Sequence, residues 1–298
     1  MNKKQITGLI LHFRTPQKTL ACLNSLQDEG IGKAVIIDNS EDHGKSIDSI
    51  QDNLNALNGM GLSTEILSPN HNLGFAEGVN AGLTHIQSKQ ANHVLLINSD
   101  AYLATGSLER MYLELQASPF VSPHIARCNH APSSPLVYYD CLLGLITPTP
   151  KVKPLRYTSG CCLLIHRDHA KAPLFDQDFF FYGEDVMLSH DAQKNGYSVR
   201  LCRSATVYHE TSSSAKNGSL FYEYHINRAH WLLARKLSNH PFELILFIVA
   251  RCFTLPLRAL VRSVRFRSLT AWNGLFAATI DILGGRRQSV TPPIRHDQ

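Results

Sequence analysis

The run His93-Val94-Leu95-Leu96-Ile97 is almost wholly apolar and stops on the polar triplet Asn98-Ser99-Asp100. A stretch so short and apolar reads as a buried strand. A carboxylate placed where such a strand runs out lies at a sheet edge, where α/β enzymes hold metals and nucleotide phosphates. Val35-Ile36-Ile37 runs into Asp38-Asn39-Ser40 in the same way, and Val207-Tyr208-His209-Glu210 ends another strand-like run on an imidazole. Between them, Phe175 to Asp185 sets Asp176, Asp178, Glu184 and Asp185 among aromatic residues. Strand-end ligands with a carboxyl pair between them point to metal-assisted chemistry on a phosphorylated substrate.

The rest of the amino-terminal part fits a parallel sheet. Ile6 to Phe13 reads as a first strand, and Thr15-Pro16 opens a helix carrying Leu20, Leu23 and Leu26 at helical spacing. Lys33 to Ile37 is a second strand and Thr64 to Leu67 a third, followed by a helix-forming stretch from Asn72 to His85 and the strand at Val94 to Ile97. This alternation predicts an α/β fold with crossover helices and a nucleotide at the carboxyl edge. Ser118 to Pro154, rich in Pro, Ser and His, is expected to be a long loop or insertion over the active face. Strand signals return at Gly160 to His166 and Val199 to Cys202.

A chain of 298 residues with 44% hydrophobic content can bury a large core, which excludes disorder for most of it. The seven cysteines are an odd number without a Cys-x-x-Cys pair, so neither a disulfide framework nor a structural zinc site is favoured and a reducing cytoplasm is the expected setting. Cys161-Cys162 reads as core packing, and the basic start lacks the features of a signal peptide. The net charge of +5 has its excess in the last third of the chain. There Phe242 to Val249 is strongly apolar, but Glu243, Arg251, Pro256 and Arg258 interrupt the surrounding stretch and weaken it as a membrane span. Arg251, Arg258, Arg262, Arg265 and Arg267, interleaved with leucines, read equally as an interfacial basic amphipathic region or as helices packed on the preceding domain. No nucleic-acid module accompanies these arginines, so no nucleic-acid partner is expected.

Each motif has a plainer explanation when taken singly. Asp38-Asn39-Ser40 is ordinary turn chemistry, Asp100 would serve to cap a helix over 105–115, and His209 would serve as an edge histidine. Asp176 and Asp178 read as turn residues and Phe179 to Tyr182 as core, with one ring free to stack on a sugar. Asn72-Leu73-Gly74-Phe75-Ala76 is a glycine-bearing loop running into a helix, suited to phosphate but neither a Walker loop nor a dinucleotide fingerprint.

Taken in order, the pieces resemble the inverting glycosyltransferases of glycosyltransferase family 2. They are Arg14-Thr15-Pro16, Val35 to Ser40, Asn72 to Ala76, Leu96 to Asp100, Ser159 to Leu164, Phe180 to Asp185 and Tyr208-His209. The likeness spans roughly residues 5 to 212, and the subgroup called rhamnosyltransferase-like is the nearest. It implies a GT-A fold, with a glycosyltransferase domain over 1–215 and a helical basic region over 216–298. It also implies transfer of a sugar from a nucleoside diphosphate donor to a hydroxyl of a growing cell-surface or lipid-linked glycan.

Carried over by position, Asp185 would be the general base, and Asp100 and His209 would hold Mg²⁺ or Mn²⁺. Arg14, Thr15, Asp38, Asn72, Gly74 and Asn98 would contact the donor, and Glu184 and Tyr182 the acceptor. The expected setting is then the cytoplasm, with peripheral contact at the inner membrane face. Two departures bear on this. Asn98 stands where the family's first metal aspartate would be, and Met187 where relatives often carry an acid. The alternative is a non-catalytic nucleotide-sugar-binding protein of the same fold.

Overall fold

A computed structural model describes residues 5–89, 92–127, 133–210 and 216–287. The basic start, Cys128 and residues 211 and 212 lie outside the described residues. The chain begins with β1 (Ile6–His12), α1 (Pro16–Asp28), β2 (Lys33–Asp38), the short α2 (Lys45–Asp48) and α3 (Gln51–Gly59). β3 (Ser63–Leu67), α4 (Gly74–Lys89) and β4 (His93–Asn98) follow. β1 pairs with β2 and β4, and β2 with β3, all parallel. These strands are apolar without alternation because both faces are covered. Cys22, Leu23 and Leu26 of α1 close one face, and Ala76, Val79, Leu83 and Ile86 of α4 close the other.

Next come β5 (Ala101–Leu103), α5 (Ser107–Glu114), β6 (Phe120–Ala126), β7 (Leu136–Asp140), β8 (Leu145–Thr147) and β9 (Pro154–Thr158). β10 (Cys162–Ile165), α6 (Glu184–Lys194) and β11 (Arg200–His209) complete this part. The main sheet has the order β3-β2-β1-β4-β10-β6-β11-β5. β10 runs antiparallel to β4 and β6, whereas β11 is parallel to β6. The start of β10 therefore lies at the edge where β1, β2, β4 and β11 end.

The stretch expected as a long loop from Ser118 to Pro154 instead contains β6, inside the main sheet, and most of a second sheet of order β8-β7-β9. Ser122, Pro123 and His124 dilute the apolar signal of β6, and the fold accommodates them individually. Ser122 Oγ donates to the Cys162 carbonyl at 3.1 Å. Pro123 lies beyond Val121, where the pairing with β10 ends, and opposite Cys202, where the register of β11 shifts. A residue without an N–H is tolerated at such a place.

The last part is helical: α7 (Leu220–Lys236), α8 (Pro241–Phe266) and α9 (Thr270–Leu283). Ala229 and Leu233 of α7 and Phe247 of α8 share a core cluster with Tyr139, Leu155, Val186 and Met187 of the preceding part. Arg251, fully buried in the middle of α8, donates to the carbonyls of His230 (2.7 Å), Phe247 (3.0 Å), Cys141 (3.1 Å) and Leu142 (3.2 Å), and to Tyr139 Oη (3.1 Å). The buried Glu223 of α7 accepts from Arg258 at 2.9 Å and Arg262 at 2.5 Å, pairing α7 with α8 a second time. Burying these charges is costly unless they are hydrogen-bonded, which here they are. Arg251→Met, which keeps the apolar stem and strands the acceptors, is expected to lower stability by about 3 kcal/mol or more in urea unfolding.

Candidate active site

A cleft of ≈ 260 Å³ opens at the carboxyl edge of the main sheet, lined from β1, β4, the turn before β10, the start of α6 and the end of β11. Of the residues singled out from sequence, Thr15, Asn72, Gly74, Asn98, Asp100, Tyr182, Glu184, Asp185 and His209 line it. Arg14 and Asp38 do not form its lining. Asp38 accepts the Ser40 N–H at 3.1 Å, and Arg14 donates to the Ser40 carbonyl at 2.7 Å, so both shape the turn beside the cleft. Among the cleft residues not chosen from sequence are His12, Phe13, Asn39, Ser99, Gly160 and Phe221.

Asp100 and His209 meet across adjacent strand ends. His209 Nε2 lies 3.1 Å from Asp100 Oδ1, with the two side chains only 17% and 10% exposed. Pairing of β11 with β5, His209 opposite Ala101, sets this contact. Asp100 caps no helix: Gly106 stands at the N-cap of α5. Among the described residues no cluster of three or more His, Cys, Asp or Glu is arranged to hold a metal ion. A carboxylate and an imidazole at the rim of a cleft are nonetheless ligand types that would suit a divalent cation.

A close backbone approach builds the other wall. Gly74 has φ +72°, and a Cβ there would fall 2.4 Å from the Phe180 carbonyl oxygen, which accepts the Phe75 N–H at 2.9 Å. Only glycine suits both requirements. Asn39 holds the same loop, donating from Nδ2 to the Gly74 carbonyl at 2.9 Å. Asn80 fixes the far segment, accepting from the N–H groups of Leu174 and Phe175 and donating to the Phe175 carbonyl. Of the four aromatics, Phe179 is core, as expected, whereas Phe180, Phe181 and Tyr182 line the cleft. Phe180 also stacks on His225 of α7, ring centroids 5.2 Å apart. Asp176 and Asp178, read as turn residues, in addition hold Lys236 at 2.7 and 2.5 Å.

Asp185 and Glu184 stand in the first turn of α6. The Gly160 N–H donates to Asp185 Oδ2 at 3.0 Å, while Oδ1 is buried with no hydrogen-bond partner among the described residues. Burial pushes the Asp185 carboxyl up from 3.8 to about 6, against the opposing effect of the Gly160 hydrogen bond. Glu184 is raised further, by burial and then by the charge of Asp185, and its Oε2 also has no partner among the described residues. Burial thus disfavours charge on both carboxyls, the charge of Asp185 acts further against ionisation of Glu184, and Asp185 keeps one oxygen without a partner among the described residues. His12, beneath the cleft, is lowered by burial and spans Thr19 Oγ1 (2.7 Å) and Ser46 Oγ (3.0 Å), a neutral strut between α1 and α2.

The raised Asp185 has a signed consequence for stability. Its favourable contribution is fully present below the ordinary value of 3.8 and is lost as pH rises through about 6. Asp185→Asn, which can still accept from Gly160, is therefore expected to melt higher than the native protein at pH 8. The gain is about 2 °C for each kcal/mol released, and the difference should close below about pH 4, as read by thermal unfolding at the two pH values.

No protein-family model matches the sequence, and no curated protein matches it significantly. Solved structures do match. A mannosyltransferase from Pyrobaculum calidifontis, in complex with GDP-Man and Mn²⁺, superposes with a TM-score of 0.56 at 14% identity, covering 94% of this chain and 87% of that one. GalNAc-T7, with UDP, GalNAc and Mn²⁺, superposes with a TM-score of 0.52 at 12% identity, covering 94% of this chain and 57% of its own. The curled, mainly parallel sheet flanked by helices is thus a GT-A fold, as the sequence led us to expect.

Proposed function

We propose that the protein is an inverting glycosyltransferase that moves a sugar from a nucleoside diphosphate to an acceptor hydroxyl. One observation carries the reading: a carboxylate raised toward neutrality, with an unpartnered oxygen, shares a cleft with an Asp–His pair at the sheet's carboxyl edge. The mannosyltransferase and GalNAc-T7 structures, each holding nucleotide or nucleotide sugar with Mn²⁺, support the substrate class.

In this reading Asp100 and His209 hold Mg²⁺ or Mn²⁺, which supplies charge neutralisation for the leaving diphosphate. Asn98 offers a carboxamide oxygen where an acid would bind the cation more tightly. Thr15, Asn72, Gly74 and Asn98 meet the donor, and Asp38 and Arg14 hold the turn against its base. Tyr182 and Glu184 orient the acceptor. Asp185 takes the acceptor proton as the hydroxyl attacks the anomeric carbon opposite the diphosphate, so configuration inverts. The likeness of Asn98-Ser99-Asp100 to the rhamnosyltransferase-like subgroup favours deoxythymidine diphosphate rhamnose as donor and a growing, lipid-linked or cell-surface glycan as acceptor.

A thermal-shift screen of nucleoside diphosphates and their sugars, with and without Mn²⁺ or Mg²⁺, followed by turnover assays, tests the proposal. Selective stabilisation by one base, dependent on the metal, is expected. Asp185→Asn should lose transfer by about 10²-fold or more with donor binding retained. Native kcat/KM should fall as pH drops through about 6, because protonated Asp185 cannot act as base. Removing the cation with a chelator should abolish transfer. Donor binding without turnover by the native chain would favour the non-catalytic binding protein instead.

A further inference from the structure

We propose that α8 and α9 form a monotopic docking face that lies flat on an anionic lipid surface, and that α8 does not cross the bilayer. By length and composition α8 is apolar enough to span one. Its orientation in the fold dictates another use. Phe247, Arg251, Leu255 and Ala259, one every four positions, face the protein, and Arg258 and Arg262 turn inward to Glu223. Of the interruptions that weaken α8 as a span in the sequence, the charged ones, Glu243, Arg251 and Arg258, are thus engaged by the protein. On the outer side an exposed apolar residue recurs every three or four positions from Phe242 to Val264. Val249, Phe253 and Leu257 within it are 49%, 73% and 61% exposed. This stripe is about 33 Å long at the helical rise. Beside it Phe276, Ile280 and Leu283 of α9 are 58%, 60% and 82% exposed. An exposed apolar stripe of this extent marks an interaction site.

Charge says what covers it. From 241 to 287 the acidic residues are Glu243 and Asp281, and both are engaged: Glu243 pairs with Lys153, and Asp281 accepts from Tyr224 Oη. Arg265 and Arg267 at the end of α8, and Arg286 and Arg287 after α9, are exposed. An apolar stripe bounded by exposed arginines matches the boundary between acyl chains and anionic headgroups. A second copy of the same face would set arginines against arginines. Crossing the bilayer is opposed by the anchors. Arg251 would have to leave four acceptors outside α8 and carry its charge into hydrocarbon, and Glu223 would lose both arginines. The docking face does not depend on the transfer reading, although together they would bring the cleft to lipid-linked acceptors.

Flotation of the full chain with vesicles of phosphatidylglycerol and phosphatidylethanolamine, against phosphatidylcholine alone, tests the proposal. Binding to the anionic vesicles, weakened by high salt, is expected. Val249→Glu with Phe253→Glu, both at exposed positions, should weaken it at least about tenfold while leaving the melting temperature unchanged. Arg265→Glu with Arg267→Glu should weaken it about tenfold at low salt and much less at high salt. Single cysteines, His240→Cys and Ser268→Cys, bracket α8. Both should react with an impermeant maleimide outside sealed vesicles, as read by peptide mass spectrometry. Absence of flotation, indifference to the glutamate pair, or protection of one end only would overturn the proposal. So would a native dimer that the glutamate pair converts to monomer, which would assign the face to a second copy.

Discussion

The contact between Gly160 and Asp185 is the constraint on which the cleft depends. A Cβ at 160 would stand 2.5 Å from Asp185 Oδ1, and the Gly160 N–H donates to Oδ2. The first turn of α6 therefore rests directly on the turn that opens β10. The Cys161 carbonyl accepts the Asn98 N–H at 2.9 Å, so the same turn is joined to the end of β4. Two hydrogen bonds in succession thus link the acidic turn of α6 to the strand end that leads to Asp100. Gly74 repeats the device on the opposite wall, where its backbone meets that of Phe180.

This arrangement holds ionisable groups where folding alone would not place them. Burial raises both Glu184 and Asp185, and each keeps a buried oxygen without a partner among the described residues. Buried unpaired oxygens cost stability, and a native structure retains them where a ligand or a proton transfer makes use of them. The Asp100–His209 pair differs, since each group already has the other as partner. One side of the cleft is satisfied and the other is not, which is the asymmetry that the proposed transfer would use.

The carboxyl-terminal helices serve the cleft as well as the surface. Phe221 of α7 lines it, and His225 supports Phe180. Arg251 and Glu223 fasten α8 to the rest of the protein through charged groups, while the apolar side chains of α8 that such a helix would ordinarily bury are turned outward. The helix is amphipathic in the reverse sense: its polar anchors are inside and its apolar stripe is outside. In the proposed docking, a lipid surface is the partner that would make this inversion favourable.

Much of the fold was legible because apolar runs at β1, β2, β4 and β10, and helical spacing in α1, report burial directly. β6 was not, since Ser122, Pro123 and His124 break its apolar run and the first two are tolerated only through their particular neighbours. Of the site, the strand-end residues Asn98, Asp100 and His209 and the acidic pair at 184–185 could be read, as polar residues following apolar runs or aromatics. His12 and Phe221 could not, because nothing local separates a cleft histidine or phenylalanine from a core one. By itself the sequence determined which strands are buried and which polar groups end them, since periodicity and composition are local properties. Only the tertiary structure decided which of those ends share a cleft, that Asp185 is raised while Asp100 is paired, and that Arg251, Arg258 and Arg262 of α8 point inward. Those outcomes depend on distances between residues far apart in the chain, which no short stretch of it encodes.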